Sequence, residues 1–255
     1  MSVTDTDLRG LERMNALAQE LLEDESYYTL PNSRPKDAAT LILIDSSGPL
    51  AKVLLGKRHH GHRFMPGKYV FPGGGLEPTD KHMAVARPLD AQAEQRLMRA
   101  VKRASPVKAR ALALAAIRET YEETGLLIGR KIAMPAAAPG PWAAFTQAQI
   151  LPDLAGIHFV ARAITPPRRA KRFDTRFFAA DASMVAGRVE GMIGPDAELT
   201  ELVWMPIAQA RRLDIPAITA VVLEELDTRI GAGLRHDLPV PFYQMLHRQF
   251  VRSLL

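Results

Sequence analysis

The stretch best equipped for chemistry is Arg118-Glu119-Thr120-Tyr121-Glu122-Glu123-Thr124-Gly125-Leu126. Glu119, Glu122 and Glu123 stand at positions i, i+3 and i+4, which the helical repeat brings to one side of a helix. Like charges that close repel, and a divalent cation between them removes the conflict through the hard oxygen ligands it prefers. Gly125 follows where such a helix must stop, because glycine takes the left-handed C-terminal conformation at no steric cost. Taken alone, E-x-x-E-E reads more readily as a solvated helix face than as a metal site. Arg118 beside it, Gly125 after it and a glycine run upstream favour a metal cage.

The acids need a helix to carry them and a partner to face. Ser105-Pro106 predicts an N-cap with proline at the first helical position, and the helix runs to about Thr124. Arg110, Leu114, Ile117 and Tyr121 would lie along one side, with the glutamates opposite, over Leu112, Ala115 and Ala116. The small alanines admit a neighbouring loop, and Gly73, Gly74 and Gly75 supply one, read as a turn after the strand Tyr69–Phe71. No Gly-Lys-Ser/Thr follows, so this is not a P-loop.

Around this pair, apolar runs predict strands over 38–44 and 52–56 as a hairpin, 158–164 and 175–180 as an antiparallel pair, and 199–205. Further helices are expected over 5–24, 90–104, 142–149, 207–213 and 215–230, the last capped by Asp214. Residues 1–35 read as a helical extension packing on its own domain or on a second copy of the chain, as in a homodimer. Residues 36–255 read as one α/β domain with a mixed sheet, including a helical tail over about 232–255.

With 255 residues, 47% hydrophobic and 24% charged, the chain has globular composition and can bury a sizeable core. The absence of cysteine excludes disulfide scaffolds, thiolate metal sites and cysteine nucleophiles. The charge-mixed N-terminal stretch lacks the apolar core of a signal peptide, and no run nears the ~18 apolar residues of a membrane span. A cytoplasmic protein is the expectation. The net charge of +5 favours anionic partners. Its basic residues cluster in Lys57, Arg58, His59, His60, His62, Arg63 and Lys68, and again in Arg168, Arg169, Lys171, Arg172 and Arg176. Aromatics amount to only 6% and do not interleave with these groups, so phosphates of a small molecule suit them at least as well as nucleic acid. The three close histidines lack a fourth ligand and are a weak zinc signal.

The segment R-E-T-Y-E-E-T-G-L resembles the second half of the Nudix box, G-x5-E-x7-R-E-U-x-E-E-x-G-U with U a bulky apolar residue, and Phe71-Pro72-Gly73-Gly74 resembles its entry. Thr120 departs from the first U position, and Asp80 takes the place of the first glutamate. Thirty-seven residues, 81 to 117, separate Asp80 from Arg118 where the box has seven, so an insertion over about 81–105 splits the box. This split, with the phrases RFMPGKYVFPGG and RFDTRFF, resembles the coenzyme A diphosphatase-like subgroup.

The resemblance implies a Nudix-type α/β/α sandwich and a pyrophosphohydrolase using Mg2+ or Mn2+. Glu119, Glu122 and Glu123, with the Gly73 carbonyl, would hold the metal, and Arg118 would orient one of the acids. The general base would be a box glutamate or one of Glu190, Asp196, Glu198 and Glu201, with Glu198 favoured. Arg58, Lys68, Gly74, Gly75, Arg172 and Arg176 would contact a nucleoside diphosphate derivative, with coenzyme A or an acyl-CoA first. ADP-ribose, NADH or a dinucleoside polyphosphate is the alternative substrate. A non-catalytic domain that senses nucleotides or binds nucleic acid is the alternative from another class, and the three intact box acids argue against it.

Overall fold

Strand β1 (Lys36–Asp45) shows why its apolar run does not alternate with polar residues. Ala39, Leu41 and Leu43 enter one buried cluster, and Ile42 and Ile44 enter another on the opposite face. A strand covered on both faces needs apolar residues at both parities. The computed structural model describes residues 5–24, 29–61, 65–133, 138 and 140–255. His62 and Arg63, and most of the expected loop over 135–141, lie outside the described residues.

The chain runs α1 (Asp5–Glu23), β1, β2 (Lys52–Arg58), β3 (Tyr69–Val70), β4 (Gly73–Gly75), α2 (Ala91–Met98), α3 (Pro106–Thr124), β5 (Leu126–Ile128) and β6 (Arg130–Lys131). It continues through α4 (Ala143–Gln147), β7 (Ile150–Leu151), β8 (His158–Ile164), β9 (Phe173–Asp181), β10 (Val185–Arg188) and β11 (Leu199–Pro206). Helices α5 (Ile207–Ala210) and α6 (Ala217–Gly231) and strands β12 (Pro241–Leu246) and β13 (Gln249–Leu254) complete it. The main sheet has the order β11-β2-β1-β9-β8-β12-β13, with β3 on β2 and β4 on β1. β1 and β9 pair in parallel, as do β8 and β12, while β1–β2 and β8–β9 are antiparallel as expected. Helices α2 and α3 cover one face, and α1 and α6 cover the other. The result is the expected α/β/α sandwich around a mixed sheet. No helix among the described residues is long and apolar enough to cross a membrane.

Helix α1 packs on its own domain. Met14 and Ala18 are buried in the α6-side core, and the Phe250 amide donates to Asn15 Oδ1 at 2.7 Å. The inserted segment is equally embedded. Met83, Leu89, Ala93 and Leu97 join the α3-side core, and Arg162 Nη1 donates to the Arg99 and Ala100 carbonyls at 3.2 Å. Its helix closes at Met98, short of the expected 104, and Ala100 takes a positive φ of 53°.

The helical tail expected over 232–255 is instead the β12–β13 hairpin. β8 offers Phe242 and Tyr243 a parallel backbone partner, and such aromatics suit a half-buried pleated surface. His247 and Arg248 form the two-residue turn with φ of 49° and 68°, whose twist matches that of paired strands. Two smaller expectations also change. Helix α6 starts at Ala217 after Pro216, and Asp214 pairs with Lys68 instead of capping it. Helix α3 is not two-faced, since every residue from Ala111 to Ile117 is buried.

Candidate active site

Both ends of α3 form as the residue types demand. The Lys108 amide donates to Ser105 Oγ at 3.1 Å, and Pro106 occupies the first turn, where a missing N–H costs nothing. Gly125 stops the helix at φ 77°, and a Cβ there would meet the Val189 carbonyl oxygen at 2.0 Å. The expected glycine turn is a strand: β4 pairs antiparallel with β1, Gly74 opposite Ala39. Its neighbour is nevertheless the predicted one. A Cβ on Gly74 would lie 2.5 Å from the Glu119 carboxylate, so a side chain there would push that carboxylate aside.

Arg118 is fully buried at the centre. Nε and Nη2 donate to Asp80 Oδ1 and Oδ2 at 2.8 and 3.1 Å. Nη1 donates to Glu119 Oε1 at 2.9 Å and Glu122 Oε2 at 2.8 Å, and Nη2 also donates to the Gly75 carbonyl at 2.7 Å. The five guanidinium donors are thereby all used. Asp80 sits in a short 3-10 turn, Pro78–Lys81, and its Oδ2 also accepts the Glu77 amide at 2.8 Å. The split box is closed in space by this Asp80–Arg118 pair, although the insertion separates its members in sequence.

The acids outnumber the cations. Burial pushes Glu119 up to about 7, reinforced by the charges of Glu122 and Glu198 and opposed by Arg118. Burial also raises Glu122, with Glu77 and Asp80 adding to the effect. Burial raises Glu123 well above the carboxylate range, with Glu198 and Glu119 contributing and Arg58 opposing. The Gly73 amide donates to the Glu123 carboxylate, whose Oε2 is buried with no hydrogen-bond partner.

Glu119, Glu123, Glu198, Arg58 and the three glycines line one cleft of about 370 Å³, walled by Phe71, Phe173 and Phe177. Arg58 Nη2 donates to Glu198 Oε1 at 2.8 Å. Glu122 stands outside the cleft lining, held by Arg118 and repelled by the charges of Glu77 and Asp80. Three of the expected phosphate contacts are engaged elsewhere. Lys68 Nζ pairs with Asp214 at 2.5 Å, outside this cleft. Arg172 Nη1 donates to Asn32 Oδ1 and the Ser33 carbonyl, tying down the segment before β1. Arg176 is buried between Asp37 and Asp174, because its β9 position points under the sheet. Lys171, from the same basic stretch, lines the cleft instead. Spacing within a loop gives no signal of which cation turns inward, so Lys171 was not separable from its neighbours.

The residues fit a divalent cation. An unpartnered buried carboxylate oxygen, three acids raised by burial and mutual repulsion, and a backbone pressed against Glu119 make a hard-oxygen site short of positive charge. Among the described residues no three His, Asp or Glu side chains converge at spacing set for an ion, and Arg118 draws Glu119 and Glu122 to itself.

No protein-family model matches the chain, and no curated protein matches it. Among solved structures it is similar to a Nudix hydrolase from Alicyclobacillus acidocaldarius, with 27% identity, coverage of 75% of this chain and 90% of that one, and a TM-score of 0.57. A looser likeness, 14% identity and TM-score 0.44 over 84% and 97% of the chains, is to the Nudix domain of Shewanella oneidensis NrtR complexed with ADP ribose. The chain has the fold of a Nudix hydrolase, which supports a pyrophosphohydrolase.

Proposed function

We propose that the protein hydrolyses the diphosphate bond of a nucleoside diphosphate joined to another moiety, with coenzyme A or an acyl-CoA as the preferred substrate. The observation that carries the reaction is the buried, unpartnered Glu123 oxygen in a cleft shared with Glu119, Glu198 and Arg58. The split box and the phrases around Lys68 and Arg172 support the coenzyme A preference.

Glu119, Glu122 and Glu123, with the Gly73 carbonyl, would hold Mg2+ or Mn2+, which when bound neutralises the diphosphate and lowers the pKa of a bound water. Arg118 positions Glu119 and Glu122 through Nη1. Glu198 takes the proton of the attacking water as its oxygen bonds to phosphorus. The bridging P–O bond breaks, leaving a nucleotide and a phosphorylated product. Arg58 and Lys171 hold the phosphates, and Gly74 and Gly75 let the diphosphate approach the backbone. Lys68 is a phosphate contact only if substrate draws it from Asp214.

The test offers purified protein with Mg2+ or Mn2+ coenzyme A, acetyl-CoA, ADP-ribose, NADH and diadenosine polyphosphates, and measures nucleotide release. Release from coenzyme A and its thioester, several-fold faster than from the others, is expected. Preference for another member of the panel overturns the substrate assignment, and no release from any member overturns the reaction.

A further inference from the structure

On the other face of the sheet lies a second charged site. Asp37 and Asp174 are register partners on β1 and β9, one position before Ala38 and Thr175, which line the catalytic cleft. Successive residues of a strand point to opposite faces, so whatever Asp37 and Asp174 line is separated from the cleft by the sheet. They line a hollow of about 980 Å³, together with Arg34, Lys36, Lys102, Arg103, Lys108 and Arg162.

The two acids there are already engaged. Asp37 Oδ2 pairs with Lys108 at 2.6 Å, and Asp174 accepts from Arg162 Nε and Nη2 at 2.8 and 2.7 Å. Arg176, almost wholly buried beneath them, shares both carboxylates through Nη1, yet its Nε and Nη2 have no protein acceptor. Arg34, Lys36, Lys102 and Arg103 are exposed around the rim and have no carboxylate partner among the described residues. Positive charge of this density in a concave site concentrates anions.

Two segments outside the plain sandwich build it: the stretch leading into β1 and the end of the box insertion. We propose that this hollow binds a small polyphosphate anion, a molecule carrying two or more linked phosphate groups. No aromatic side chain lines it, so the stacking platform that holds a nucleic-acid strand is missing. The Leu76 amide donates to the Asp37 carbonyl at 3.0 Å, which joins the hollow's edge to the end of the glycine strand.

The test titrates the full chain, with EDTA and at low salt, with inorganic tripolyphosphate by calorimetry. Binding is expected to weaken as salt rises, and to weaken about tenfold or more in the double variant Lys102→Glu, Arg103→Glu. Both side chains are exposed, and an unchanged melting profile checks that the fold is kept. Lys171→Glu, in the cleft, is expected to change the affinity by less than about twofold. Three results overturn the assignment. Tripolyphosphate does not bind at millimolar concentration. Lys171→Glu, and not the double variant, abolishes binding. A single-stranded RNA oligomer binds at least tenfold tighter through Lys102 and Arg103, making the hollow a nucleic-acid surface. None of these measurements depends on turnover, so the proposed reaction and this site stand or fall separately.

Discussion

Arg118 and Arg176 are both buried arginines held by two or more carboxylates, and they are opposites. Around Arg118 lie Asp80, Glu119 and Glu122, with Glu123 and Glu198 just beyond, and its donors are all used. Around Arg176 two acids face three cations, and two of its nitrogens lack acceptors. Burial and neighbouring acids raise Glu119, Glu122 and Glu123 in the acid-rich group, whereas Asp37 in the cation-rich group is lowered. Buried ionic groups of balanced charge are structural devices at best neutral in energy. On the two proposals above, a charge excess of either sign marks a site whose missing partner comes from solution.

If that contrast is right, the largest effect comes from Arg118→Met. It leaves Asp80 buried without its cation and frees Glu119 and Glu122 to repel, at a cost of about 3–5 kcal/mol in urea unfolding together with loss of turnover. A variant as stable as the parent would mean the acids pair elsewhere, and the hub would lose its role.

Glu123→Gln tests the same group from the opposite direction. It removes one of the crowded charges and keeps the Gly73 contact, so the metal-free protein should be at least as stable as the parent. Turnover should fall by roughly 10³-fold, about 4 kcal/mol in the barrier. Retention of most activity with normal folding would remove Glu123 from the cage.

How much of this was legible depended on whether the signal was local. Ser105, Pro106, Gly125 and the acid spacing act within one helix, and each does what its residue type requires. The covered strand 38–44 was equally readable, because burial on both faces writes itself as a continuous apolar run. The hairpin at 241–254 was not, since its strand character comes from β8, a distant partner that overrides weak local preference. Arg172 and Arg176 looked like phosphate ligands because charge and neighbourhood carry no information about direction. The β9 register turns Arg176 under the sheet, and Arg172 clamps the chain before β1. Asp80 was readable as a box position, but its pairing with Arg118 across the insertion is purely a property of the fold.

The cation-rich group should respond less to loss of its arginine. In Arg176→Met, Asp37 keeps Lys108 and Asp174 keeps Arg162, so no acid is stranded. The two unpartnered nitrogens leave as well. The expected cost is about 1–2 kcal/mol by urea unfolding, clearly below that of Arg118→Met. Equal costs for the two variants would erase the distinction between an acid-rich and a cation-rich hub.

The smallest effect is a pH dependence at Asp37. Burial alone would raise this carboxyl, but the hydrogen bond from Lys108 and the charges of Arg176 and Lys108 outweigh it and hold its pKa below the ordinary value of 3.8. A folded pKa below the unfolded one means the unfolded chain binds the proton first as pH falls. The stability this group contributes is therefore present above about pH 4 and is lost as pH drops through the folded value. The parent should lose more stability between pH 5 and pH 3 than Asp37→Asn, by about 1 kcal/mol or less, because the side chain is partly open to solvent. Urea midpoints at the two pH values measure the difference. Parallel losses in parent and variant would mean that the cations around Asp37 do not favour its charged form, and that the hollow above it holds less positive potential than its residues suggest.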